Sequence, residues 1–150
     1  MPRQYKHVFL SYSRANEEAV RQLRDDLINA GENVWWDRDI RAGQDWQQKV
    51  RAAMKESYAV VVCFSKETEA STESGIYPEL RDAIRTYRNL AEGGIFLIPV
   101  RLSECEIPDV EIDAIRTLDR LQRVDLYPPE NRDKGINALL EAIRSSSRHP

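Results

Sequence analysis

The chain has 150 residues, 41% hydrophobic and 31% charged, which is material for one domain with one apolar core and excludes a second full domain. No stretch approaches the roughly 20 apolar residues that span a bilayer, and residues 1–5 lack the apolar run of a secretory signal, so a cytoplasmic protein without membrane contact is expected. The net charge of −3, from 22 basic and 25 acidic residues, argues against nucleic acid as a partner, and Cys63, Cys105, His7 and His149 offer neither a disulfide framework nor a zinc spacing.

Short runs rich in Val, Ile and aromatics alternate with segments of helical period, the pattern of βαβ units. The first run, residues 7–10, ends in Ser11-Tyr12-Ser13. Asn16 followed by Glu17 and Glu18 then predicts a helix start, with Val20, Leu23 and Leu27 as the buried stripe. Gly31 suits a left-handed helix end, and Val34-Trp35-Trp36 reads as the second strand. A polar loop over residues 38–45 contains Gly43. From Trp46, the positions of Val50, Ala53 and Met54 predict a helix reaching Ser57.

Residues 59–64 form an unbroken apolar run, the best candidate for a central parallel strand buried on both faces. A polar stretch, 65–74, leads to a helix with Pro78 in its first turn, Leu80, Ile84 and Tyr87 on one face, and Gly93-Gly94 as its close. The fourth strand is expected over 95–100, where Pro99 lacks a ladder donor and calls for an edge, a bulge or a strand end. Val124-Asp125-Leu126 suits a short edge strand, and Ile136, Leu139, Leu140 and Ile143 the inner face of a last helix. The domain is read as residues 1–145, and residues 146–150 as a polar tail or linker without a packing signal. Five strands joined by right-handed crossovers predict an α/β fold: a flavodoxin-like, doubly wound parallel sheet in the order 2-1-3-4-5 with helices on both faces.

That topology brings a ligand to the carboxyl ends of strands 1 and 3, beside Ser11 to Arg14, Asp37 to Trp46 and Ser65 to Glu79. A phosphoacceptor site would need acids after strand 1, where hydroxyls and Arg14 stand. The dinucleotide Gly-x-Gly-x-x-Gly turn and the phosphate loop are absent, and Cys63 lies inside the most apolar run, as a small buried hydrophobe does. Three motifs fall in order on the predicted strands: Val8-Phe9-Leu10-Ser11-Tyr12-Ser13; Val34-Trp35-Trp36-Asp37 with Arg41-Ala42-Gly43-Gln44-Asp45-Trp46; and Ala59-Val60-Val61-Val62-Cys63-Phe64-Ser65. Together they resemble the Toll/interleukin receptor (TIR) domain from about residue 6 to 145. Tyr77-Pro78-Glu79-Leu80-Arg81-Asp82-Ala83 is most similar to bacterial TIR effectors.

The resemblance implies an NAD+ glycohydrolase with Glu79, at the start of the helix after strand 3, as its catalytic residue. It also implies substrate binding by Ser11, Tyr12, Arg14, Gly43 and Trp46. The family commonly carries Trp four residues before the glutamate, whereas this chain has Gly75, with Tyr77 as a substitute aromatic surface. NAD+ would be substrate rather than cofactor, and no metal is implied. Nicotinamide departs neutral from an oxocarbenium-like state, so one carboxylate can suffice, giving linear or cyclic ADP-ribose. Arg14 would hold a pyrophosphate oxygen and Trp46 would stack on a flat ring. Each residue has a plainer role open to it: a helix-dipole acid for Glu79, a core anchor for Trp46, a surface ion pair for Arg14, strand-end packing for Tyr12.

The implied setting is bacterial antiphage defence, with activity dependent on self-association through TIR–TIR contacts that hold the 38–45 loop, Arg41 included, and with a fused or partner sensor domain. A non-catalytic TIR–TIR interaction module is the alternative. Nuclease or nucleotide-cyclase activity is a third reading, disfavoured by the acidic charge.

Overall fold

The computed structural model describes residues 5–39, 42–70, 78–90, 97–112 and 116–150, and the side chains of these except 39, 70, 78–79 and 89–90. The expected sheet is present: five parallel strands, β1 (His7–Ser11), β2 (Val34–Trp35), β3 (Ser57–Phe64), β4 (Leu97–Arg101) and β5 (Val124–Asp125), in the order β2-β1-β3-β4-β5. Between them run α1 (Glu17–Asn29), α2 (Trp46–Lys55), the short α3 (Lys66–Ala70), α4 (Pro78–Leu90) and, after β5, α5 (Arg132–Arg144).

Side-chain alternation along the strands builds two cores. Val8 and Leu10 of β1 and Ala59, Val61 and Cys63 of β3 face α1 and α5, where Val20, Leu23, Leu27, Leu139 and Ile143 are buried. Phe9, Val60, Val62 and Phe64 face α2 and α4, meeting Val50, Met54, Leu80, Ile84 and Tyr87. Trp36 joins the first core and Trp35 borders the second, as opposite faces of one strand require.

Several boundaries differ from the sequence expectation, each for a local reason. β2 stops at Trp35 because Trp36 turns in against Tyr12, its centroid 5.9 Å away, beneath the Arg21 and Arg24 guanidiniums. β3 begins at Ser57, two residues early, with the Ser57 hydroxyl donating to the Met54 carbonyl at 2.6 Å and so tying the strand to the end of α2. The Asn16 side chain does not cap α1. It is buried and accepts from Ser65 Oγ at 2.9 Å, while Ser13 caps the preceding 3-10 turn, Arg14–Asn16. The polar stretch after β3 contains α3, held by a reciprocal Ser65–Thr68 box in which each side-chain oxygen accepts from the other residue's backbone N–H, at 2.9 and 3.2 Å.

Pro99 stands mid-strand opposite Val62 rather than at an end. The β4–β5 ladder starts only at Val100, so that side of β4 is an edge at Pro99. Gly31 has the expected left-handed φ of 96°. Gly93, Gly94 and Ile95 lie outside the described residues.

The tail is not free of packing. Ser146 is buried and donates to the Tyr58 carbonyl at 2.7 Å, Arg148 covers the Tyr5 ring, and His149 lies 2.9 Å from Glu32. Glu32 also accepts from the Tyr58 hydroxyl at 3.1 Å. The attachment is made by polar groups meeting buried polar partners, which a search for apolar periodicity passes over.

Two outcomes follow from this packing. A Cβ on Gly135 of α5 would lie 2.2 Å from the Asp125 carbonyl oxygen and 2.9 Å from the Leu126 side chain, so helix and edge strand would have to separate. Gly135→Ala is expected to destabilise the fold by about 1–3 kcal/mol in urea unfolding, as overpacking does, and a neutral result would remove this constraint. Burial, and then the Glu32 carboxylate, pushes the Tyr58 hydroxyl up from 10.0 to about 12. The folded chain therefore keeps a proton that the unfolded chain releases, so this contribution is complete below pH 10 and is lost as pH rises through about 12. Tyr58→Phe should flatten the fall in unfolding free energy over that window, and an unchanged slope would contradict the assignment.

Candidate active-site crevice

A concavity at the carboxyl edge opens between the ends of β1 and β2 and the facing helices α2 and α4. It encloses about 360 Å³ including its mouth, between Phe9, Ser11, Tyr12, Trp35, Asp37, Trp46, Val50, Asp82 and Ala83. The expected place is the carboxyl ends of strands 1 and 3; at the end of β3 the Asn16, Ser65 and Thr68 side chains are hydrogen-bonded together, and residues 71–77 lie outside the described residues.

Ser11 ends β1 with its side chain buried at the crevice wall. Tyr12 has a divided role: its ring packs on Trp36 in the first core and its hydroxyl donates to Asp37 across the crevice. Burial and the Asp37 carboxylate hold that hydroxyl well above its ordinary pKa, so Tyr12 is a neutral donor at physiological pH. Trp46 is not a core anchor. It begins α2, where the Asp45 carboxylate caps the helix by accepting from Gln48 N–H at 3.2 Å, and the residue is 38% exposed, which leaves contact area open to a ligand. Gly43 precedes it with φ of 85° and open space where a Cβ would stand. The glycine is needed for backbone conformation and not for clearance.

Arg14 is exposed on the 3-10 turn and is not among the crevice residues. Glu79 lies in the first turn of α4, one turn before Asp82 and Ala83, and its side chain is outside the described set. Arg41, Gly75 and Tyr77 also fall outside the described residues.

Asp37 and Asp82 are crevice residues that sequence reasoning did not single out. Asp37 closes the Val34-Trp35-Trp36-Asp37 motif, where a polar residue directly after a strand at the carboxyl edge is itself a signal. Asp82 follows Glu79 by three residues, the spacing that keeps two residues on one helix face. Among the described residues, the crevice carries two carboxylates, two tryptophans and no cation.

A second groove adjoins the first, sharing Trp46, Val50 and Asp82. It continues between α2 and α4 past Gln47, Arg51, Arg85 and Thr86, with about 660 Å³ of space including its opening. Among the described residues, no cluster of His, Cys, Asp and Glu is arranged to hold a metal ion, and no helix is long and apolar enough to cross a membrane.

Comparison with known proteins agrees with this geometry. The family model of the TIR domain matches residues 8–140. No curated protein shows significant similarity to the chain. Among solved structures, the TIR domain of the Toll-related receptor TRR-2 from Hydra magnipapillata superposes with a TM-score of 0.68 at 18% identity, covering 92% of this chain and 98% of that one. A prokaryotic SEFIR domain gives 0.60 at 22% identity over 95% and 94% of the two chains. The TIR domains in the activated Roq1 resistosome, which recognises the pathogen effector XopQ, give 0.62 at 20% identity over 91% and 98%. These likenesses are of fold, and the family match over most of the length makes the chain a member of the TIR domain family.

Proposed function

We propose that this TIR domain is an NAD+ glycohydrolase that cleaves the bond between nicotinamide and ribose in the crevice between α2 and α4. The observation that carries the reading is the charge and surface of that crevice. Two carboxylates and exposed indole surface, with no cation among the described lining residues, complement a flat cation such as the nicotinamide ring. Ser11 and the Tyr12–Asp37 pair supply hydrogen-bonding groups at its wall.

Glu79 is the catalytic residue in this reading, its carboxylate countering the cation that develops on the ribose. The C1′–N bond breaks, the ring nitrogen takes the bonding electron pair, and nicotinamide leaves neutral. Water adds to C1′ and gives its proton to solvent, yielding linear ADP-ribose, or an adenine ring nitrogen of the same molecule bonds to C1′ and the adenine gives up a proton to solvent, yielding the cyclic product. No general acid is needed for such a leaving group, which suits a site whose buried tyrosine holds its proton. Trp46 lines the crevice just after the loop that carries Gly43, and in this reading that loop closes over substrate.

Self-association through TIR–TIR contacts and a part in bacterial antiphage defence belong to the same reading. Likeness to the TIR domains of an activated resistosome supports work within an assembly. A non-catalytic interaction module is the second reading, favoured by Gly75 at the position where the family commonly has Trp.

The two are separated by chromatography of NAD+ incubated with concentrated protein. The wild type should release nicotinamide, and Glu79→Gln should abolish the release while keeping the wild-type circular dichroism. A folded Glu79→Gln protein with undiminished release would overturn the assignment of Glu79, and no release from the wild type would favour the interaction module.

A further inference from the structure

The groove beside the crevice has the opposite electrostatic character. α2 contributes Trp46, Gln47, Val50 and Arg51, and α4 contributes Asp82, Arg85 and Thr86, so two helix faces wall one channel. Arg51 and Arg85 are exposed, and neither guanidinium forms an ion pair or hydrogen bond with another described residue. Asp82 stands three residues before Arg85, a spacing at which helical ion pairs form, yet the two do not pair. Several other arginines are engaged: Arg101 with Asp125, Arg132 with Asp26, Arg144 with Glu32 and Arg38 with Glu17. Two unpaired forks on facing helices leave their donors available to an anion, and guanidinium geometry matches phosphate oxygens in pairs.

Because Trp46, Val50 and Asp82 line both spaces, a single ligand can lie across them, its cationic end against the carboxylates and its anionic middle against the arginines. We propose that the α2–α4 groove is the diphosphate subsite of a pyridine dinucleotide, with Arg51 and Arg85 gripping the two phosphates and Trp46 standing at the junction with the nicotinamide crevice. This rests on the reading of the crevice as an NAD+ site and adds a specificity device to it. The enzyme would select the dinucleotide over the nucleoside, and the arginines that do so are neither Arg14 nor any residue of the three sequence motifs.

The test compares two substrates that share the scissile bond and differ in phosphate: NAD+ and nicotinamide riboside. In the wild type, kcat/KM for NAD+ should exceed that for the riboside. In Arg51→Gln/Arg85→Gln, which keeps much of each side-chain stem, the ratio of the two should fall at least about tenfold, carried by KM for NAD+. A folded double variant whose ratio stays within about twofold of the wild type would overturn the proposal, because tenfold corresponds to a single charge-assisted hydrogen bond. If the wild type cleaves neither substrate, the NAD+ reading of the crevice fails. The groove is then judged alone by calorimetric titration with ADP-ribose. Binding by the wild type that is lost in the double variant supports a diphosphate site, and equal binding or none by both overturns it.

Discussion

Every residue of β3, from Ser57 to Phe64, is buried, and a strand with no solvent-facing side must be covered twice. That constraint organises the molecule. It forces α1 and α5 onto one face and α2 and α4 onto the other, and it places β1, the neighbour of β3, between two apolar cores as well. α2 and α4 share one of these faces, and the crevice results where they meet the carboxyl ends of β1 and β2.

The chemistry of the crevice is a consequence of that layering. Tyr12 is the first residue beyond β1, and its ring completes the first core while its hydroxyl crosses to Asp37 at the end of β2. One side chain thus joins core stability to site geometry, which sets the carboxylate of Asp37 without a dedicated loop contact. Trp46 does the reverse: the Asp45 cap fixes the start of α2, and the ring at that start stays partly in solvent. Surface exposure at a fixed backbone position is what a residue that stacks on a ligand needs, since ordering costs are already met.

Most of the architecture was legible because it depends on period and branching. The run Ala59-Val60-Val61-Val62-Cys63-Phe64 can be little else than a buried strand, and the Leu80, Ile84 and Tyr87 spacing fixes the inner face of α4. Strand order followed from handed crossovers and not from any one residue. What escaped the sequence was polar and long-range. Asn16 is a residue type that suits a helix cap, but it accepts from Ser65, 49 positions away, just beyond the carboxyl end of β3. Ser146 and His149 dock onto Tyr58 and Glu32 through hydrogen bonds that leave no apolar signature. Among the crevice residues, Ser11, Tyr12 and Trp46 were singled out by motif; Asp37 and Asp82 stood in the same motifs without being singled out, and Arg51 and Arg85 come beside Trp46 only through the packing of α2 against α4.

The central claim is that a dinucleotide occupies the space between these two helices, and the three tryptophans make it directly observable. In ¹⁵N-labelled Glu79→Gln protein titrated with NAD+, the indole N–H resonances of Trp46 and Trp35, which line the crevice, should shift together and saturably. That of Trp36, packed in the opposite core against Tyr12, should stay in place. A saturable response confined to Trp36, or binding that leaves Trp46 unmoved, would contradict the account.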